Sequence, residues 1–501
     1  MPIDAATEDF FRLRLDHMID LRHSLAVLAS RMPWQKIEAC VSHVFSAKVR
    51  AGKKLPGIDL FGEQIQTAAL KSKAGRPRVP LRTMIALLYL KHAFNESDEG
   101  VVQRWSETPV WQFFGGRTYF DQALPCDSTT LVKLRTLLGE EGVEELLAQT
   151  ITAAAEMKLI SPKELATVVV DSTVQSKAIA HPTDSKLLET ARQKLVQAAK
   201  DAGIDLKQTF AREERLLRLK AGRYAHAKQF KRMGRAIKRQ RTIVARIARQ
   251  IERGVSTMTQ AVRDALNGSL AKARQIVAQA AIRKNTGTTE KLYAWHAPEV
   301  ECIAKGQSRT PYEFGVKVGI AATLRHNLIV AARSFAGKPY DGRTLNEQLE
   351  QATILMQETG QKPQTAYVDL GYRGVDADNP DVAIKHRGKF KTLTDKERKL
   401  LKRRQAIEPI IGHLKADHRM DRCYLKGQKG DRINAVLCVA GYNARWLLRM
   451  IAKKDVLDST GQCNTCCQFG AGRYVAQSFA WPGVQFQSDS IKLPLPANPV
   501  A

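Results

Sequence analysis

Acidic residues are scarce in this sequence: 50 Asp plus Glu stand against 79 Lys plus Arg, leaving a formal net charge of +29 over 501 residues. That imbalance points to a polyanionic partner. Cysteine is sparse as well, with eight positions (40, 126, 302, 423, 438, 463, 466 and 467), which excludes a disulfide scaffold and makes reduced thiols the expectation. Cys463, Cys466 and Cys467 in CNTCC carry a C-x-x-C spacing, but no second pair follows to complete a tetrahedral zinc site. Cys40 and His43 also have ligand-like spacing, yet KIEACVSHVF reads as an amphipathic core helix. Long apolar runs are missing: the longest, around residues 84–90, stops far short of the roughly 20 residues that cross a bilayer. The first twenty residues are acidic and mixed where a secretory signal needs a basic start and an apolar core, so a cytoplasmic protein is expected. What is present is ordinary globular material, 44% hydrophobic, with room for two to four domains at about 150 residues each.

Residues 1–70 form an N-terminal helical segment, and KSKAGRPRVP follows as a basic linker that no helix crosses. Its Arg76 and Arg78 have the composition of arms that enter narrow minor grooves. Residues 71–160 are read as a helical DNA-binding domain, with helices over 81–94 and 129–137 flanking the aromatic stretch VVQRWSETPVWQFFGG. The period then changes. ATVVV, ending in Asp171, Ser172 and Thr173, fits a buried strand.

From 184 to 284 the chain is rich in Arg, Lys, Ala, Leu and Gln and has almost no β signal, so it is read as a helical insertion. Phe230, Met233, Ile237, Val244, Ile247 and Ile251 follow alternating three- and four-residue steps, with Gln240 the one polar member, as in a coiled-coil seam. That seam is either a dimer surface or a face folded back on helices over 187–219. The surrounding cations have almost no acids beside them, which favours contact with a DNA backbone over plain solvation.

The β pattern resumes with YEFGVKVGIAA and LIVAARSF as a hairpin. Thr344 and Glu347 read as a capping box opening a helix, TAYVDLGYRG as a strand with Asp369 near its C-terminal end, and residues 382–384 as a short strand. Helices over 394–418 and 431–453 follow, and 454–501 reads as a loosely ordered tail. With the insertion removed, the order of strands and helices is that of an RNase H-like α/β catalytic domain, built from 161–183 and 285–453 and preceded by the all-α N-terminal part. Glu408 on the late helix supplies a third acid. Ile407, Ile410, Ile411 and Leu414 share one helix face, with Arg404, Glu408 and Lys415 about 90° away. Pro409 lacks an amide proton, so a kink or a fresh helix start is expected there. Three gathered carboxylates call for hard cations, Mg²⁺ or Mn²⁺, and two ions about 3.5 to 4 Å apart support in-line attack on a phosphodiester. In that scheme Asp171 bridges both ions, while Asp369 and Glu408 hold one each. Thr173 shares the strand face of Asp171, where it can order a metal-bound water or serve as an ordinary buried hydroxyl.

These motifs, VVVDSTV, YVDLGYRG and RRQAIEPIIGHLK, resemble those of bacterial insertion-sequence transposases of the DDE type, within the group that includes the insertion sequence five family. Arg404, Glu408 and Lys415 reproduce the R-E-K part of that group's Y-R-E-K signature, with Leu401 where its tyrosine is expected. The resemblance spans roughly residues 60–450. It implies Mg²⁺-dependent cutting at terminal inverted repeats of double-stranded DNA, transfer of the 3′-ends into target DNA, and work at the nucleoid. It also implies that Arg404 and Lys415 contact end phosphates; Arg373 is a further candidate for a phosphate. Two ends must be held together, so a homodimer or higher oligomer is expected. The alternative is a catalytically silent DNA-binding repressor or architectural protein of the same descent.

Overall fold

The computed structural model describes residues 13–42, 57–58, 64–65, 79–255, 259–282, 291–304 and 311–460. The basic linker with Arg76 and Arg78, the CNTCC segment and most of the tail lie outside the described residues. The N-terminal region is helical: α1 (Ser24–Arg31), α2 (Trp34–Ser42), α3 (Leu81–Ala93), α4 (Asp98–Glu107), α5 (Pro109–Phe114) and α6 (Ser128–Glu156). The tryptophans of the aromatic stretch, Trp105 and Trp111, are buried with Phe114, so this segment is core. Asp98 ties three of the helices together, accepting both arms of Arg135 at 2.7 and 2.6 Å and Lys91 at 2.8 Å. The helix expected over 129–137 continues to Glu156 because its apolar face does; its one break is Gly139, at φ 65°.

The sheet has six strands: β1 (Thr167–Ser176), β2 (Glu301–Ala304), β3 (Tyr312–Thr323), β4 (Ile329–Phe335), β5 (Thr365–Tyr367) and β6 (Ala383–Lys385). β3 lies antiparallel to β1, β2 and β4, while β5 runs parallel to β1 and β6 parallel to β5, which leaves β1 near the middle. The expected hairpin is β3–β4. Strand β1 is longer than ATVVV suggests: its ladder with β3 continues through Ser176, so Asp171 sits in mid-strand rather than at an end. Backbone pairing carries the strand past the point where its apolar run stops.

Between β1 and β2 stand α7 (Asp184–Asp201), α8 (Ala211–His226), α9 (Phe230–Val255) and α10 (Gln260–Gln279), the expected helical insertion. They have a hydrophobic core of their own. Val244, Ile247 and Ile251 of the supposed coiled-coil seam are buried in that core against α7 and α10. The seam is therefore spent within the chain and offers no dimer surface there, whereas Phe230 at its start is exposed. Gln240, fully buried in the same face, donates to Glu214 on α8 at 2.9 Å, which explains the polar member of the series.

After β4 come α11 (Asp341–Leu355), α12 (Asp395–Arg403), α13 (Ile407–Asp417) and α14 (Gly427–Thr460). Helix α11 starts a turn earlier than the capping-box reading. The Thr344 hydroxyl is inside the helix, donating to the Asp341 carbonyl, and Glu347 pairs with Arg333. A true capping box opens α12 instead, between Thr394 and Glu397. The helix expected over 394–418 is two, separated by a 3₁₀ turn at Arg404–Ala406, and α13 restarts two residues before Pro409. Ile407, Ile410 and Leu414 are buried beneath it, as their spacing requires.

Candidate active site

Strand β1 sorts its side chains by parity, so Asp171, Thr173 and Gln175 share one face while Ser172 points to the other. On the first face Gln175 donates to the Asp431 carbonyl on α14 and accepts from Asn434, clamping the strand beneath that helix. The end of the strand is locked by buried Lys177, which reaches Asp431 at 2.8 Å and Glu299 at 2.9 Å. On the opposite face the Ser172 hydroxyl donates to Asp341 at 2.8 Å, and Lys317 holds the same carboxylate at 3.0 Å. Asp171 is thus carried on a backbone fixed from both sides.

Asp369 is two residues beyond β5, at the entrance of a 3₁₀ turn, with an extended backbone and a half-exposed side chain. Because β5 lies beside β1 in parallel register, it comes out close to Asp171. Arg404, on the 3₁₀ turn between α12 and α13, spans the two: one guanidinium nitrogen is 3.2 Å from Asp171 and the other 3.5 Å from Asp369. Glu408 is exposed in the first turn of α13, near enough for its charge to be felt at Asp171.

Burial pushes the Asp171 carboxyl up to about 6; the Ser172 amide and Arg404 oppose this, and the charges of Glu408 and Asp369 add to it. Arg404 is shared between the two aspartates, and among the described residues no ion pair joins it to Glu408. Among the described residues no three His, Cys, Asp or Glu side chains are gathered closely enough to hold a metal ion. The residue types nonetheless suit a hard cation. The available donors are carboxylate oxygens, and beside Asp171 the buried Thr173 hydroxyl lacks a hydrogen-bond partner among the described residues.

The other expected site residues are placed as follows. Lys415, two turns along α13 from Glu408, is 3.2 Å from Glu313 on β3. Arg373 is exposed and lies beside His386 and Gly388. Leu401, at the signature's tyrosine position, is buried core. Arg76 and Arg78 are outside the described residues. Sequence reasoning missed Asp341 and Lys317 behind the site and Glu313 opposite Lys415; Asp341 in DGRTLN looks like an ordinary helix-start acid, and only the fold brings it to Ser172.

Two family models match the chain: "Transposase domain (DUF772)" over residues 13–137 and "Transposase DDE domain" over residues 378–448. The second covers Arg404, Glu408 and Lys415. A Rhizobium meliloti protein described as "Uncharacterized protein ORF8 in nfe locus" is 40% identical over 222 residues, which is 44% of this chain and 95% of that relative. No solved structure matches. A helical N-terminal region followed by a mixed sheet with helices is consistent with a DDE transposase domain. The chain belongs to the DDE-type insertion-sequence transposases. Among the described residues no helix is long and apolar enough to cross a membrane.

Proposed function

We propose that this transposase binds the terminal inverted repeats of its element, cuts the DNA there and joins the 3′-ends to target DNA, with Asp171, Asp369 and Glu408 as catalytic acids. The carrying observation is the single Arg404 guanidinium within 3.2 and 3.5 Å of two aspartates that are 198 residues apart in sequence. An RNase H-like domain is supported by the strand order β4-β3-β1-β5-β6, with three antiparallel strands followed by two parallel to the first. The R-E-K spacing on the two sides of the α13 start supports membership of the insertion sequence five family.

Asp171, Asp369 and Glu408 would hold Mg²⁺ or Mn²⁺, two ions per site. When bound, the ions supply Lewis acidity toward the phosphate and lower the pKa of the attacking water or 3′-hydroxyl. The protein's own part is positioning. Asp171 is the half-buried anchor, held by β1 and the Ser172 amide. Asp369 and Glu408 stand on the more exposed side, where a DNA strand has access. Arg404 and Lys415, each paired with an acid here, are the cations offered to end phosphates. Double-stranded DNA is the partner, a homodimer or higher oligomer the working form, and the nucleoid the place of action.

The test is Mg²⁺-dependent cleavage of a labelled duplex carrying the element's end, with wild type beside Asp171→Asn and Glu408→Gln at matched DNA occupancy. Cleavage by wild type alone is expected, with each variant reduced at least a hundredfold. Equal cleavage by Asp171→Asn overturns the assigned acids; specific binding with no cleavage by any form, and none with Mn²⁺, supports the silent DNA-binding protein instead.

A further inference from the structure

Helix α9 divides cleanly into two faces. At 100° per residue its buried positions, including Gln240, Ile243, Val244, Ile247 and Ile251, lie on one side and pack into the insertion's core. The opposite side presents Lys231, Arg235, Lys238, Arg246, Arg249 and Arg253, all exposed and confined to an arc of about 80°. The steps of four, three, eight, three and four residues make this a line parallel to the helix axis. No acid lies on that arc, the single acid of α9, Glu252, being directed to Arg274 at 2.7 Å.

Surface cations in folded proteins normally have carboxylates nearby, and for five of these six no such pairing is found among the described residues. Among the described residues Lys231, Arg235, Lys238, Arg246 and Arg249 have no carboxylate partner; Arg246 stacks over Phe210 and Arg249 turns back to the Ala245 carbonyl. Arg239, on the edge of the arc, is bound by Glu213. The like charges repel along the helix at a cost that the buried apolar face offsets. An arrangement that keeps uncompensated cations in register calls for a linear anion from outside. From residue 231 to residue 253 the line is about 33 Å long, close to the roughly 34 Å of one turn of duplex DNA.

We propose that the outer face of α9 is a sequence-independent track for the phosphate backbone of duplex DNA, separate from the carboxylate site. A straight line of cations about 33 Å long matches a run of phosphates rather than any one base pair, so it contributes grip and register rather than recognition. The choice of DNA as the anion rests on the transposase reading, while the track itself rests on the charge and geometry of α9.

The experiment measures binding, not cleavage. The full-length protein and the combined Lys231→Gln, Arg235→Gln, Lys238→Gln and Arg249→Gln variant are titrated with a 30-base-pair duplex of arbitrary sequence over a range of salt concentrations. Each lost phosphate contact lowers the slope of log affinity against log salt by about 0.9, so a fall of about 3 to 4 is expected, with at least tenfold weaker binding at low salt. Exchanging Lys for Arg and Arg for Lys at the same positions keeps the slope, which separates charge from any structural effect. An unchanged slope in the Gln variant overturns the proposal, and so does a change seen with single strands alone. Absence of cleavage by the wild type, with the slope difference intact, counts against the transposase reading and leaves the track standing.

Discussion

Asp171 and Glu214 show what burial does to a carboxyl when compensation is incomplete. Glu214 in the insertion is raised to about 7, chiefly by burial, with the Gln240 hydrogen bond only partly opposing it. The native protein therefore holds this proton up to about pH 7 while the unfolded chain releases it near 4.5. Between those values the native state binds more protons, and stability falls as pH rises through the window and then levels. A shift of this size is worth on the order of 3 kcal/mol. Replacing Glu214 by Gln is expected to flatten the pH dependence of urea unfolding between pH 5 and 8; a curve as steep as the wild type's refutes the assignment. At the candidate site, Arg404→Gln leaves two aspartates facing each other without their shared cation. Cleavage at saturating DNA is expected to fall at least a hundredfold in that variant, and Arg404→Lys, which keeps charge but not the two-armed geometry, to recover only a small part. Full activity in Arg404→Gln rules out its role.

At the scale of elements, two contacts hold the site's supports in place. Helix α14 crosses α3 at Gly441 so closely that an added Cβ would lie 2.4 Å from the Cβ of His92 and 2.6 Å from its carbonyl carbon. The obstacle is partly backbone, which cannot rotate away. Gly441→Ala is expected to lower stability by about 1 to 3 kcal/mol in chemical unfolding, the usual cost of overpacking, and no measurable change refutes the close crossing. The Thr394–Glu397 capping box starts α12, the helix that leads into Arg404. Thr394→Ala is expected to cost about 1 kcal/mol, measured in the same way. The capping box read at Thr344 has the same letters and the same spacing. What separates the two is where the backbone enters each helix: before α11 it enters at Asp341, which leaves Thr344 in the interior.

Over the described part of the whole molecule there are two large hydrophobic cores. One joins α1 to α6 with the sheet and the late helices, and the other belongs to the insertion. Groups of helices with separate cores can unfold separately. Calorimetry is expected to resolve two transitions, of which the insertion's is the one whose pH dependence below about pH 7 weakens in Glu214→Gln, while that of the other is left unchanged by the substitution. A single transition in which both forms respond alike excludes independent unfolding. This division also places the cations of α9 on a unit that the central sheet does not bury.

The strands and the helices of the insertion were legible because apolar period and charge density are local properties of the chain. Ile407, Ile410 and Leu414 are spaced for one buried face, and Pro409 marks a helix start, wherever the rest of the protein lies. The seam on α9 was equally visible as a buried face, but not what buries it, since a second copy and helices α7 and α10 satisfy the same pattern. Only tertiary structure decided that, and it alone carried β1 beyond its apolar run to centre Asp171 and set Asp341 and Lys317 behind Ser172. The physical reason is that pairing partners and electrostatic neighbours are chosen by parallel and antiparallel registers between distant segments. Arg404 is 233 residues from one aspartate and 35 from the other, and the fold brings all three within a guanidinium's reach.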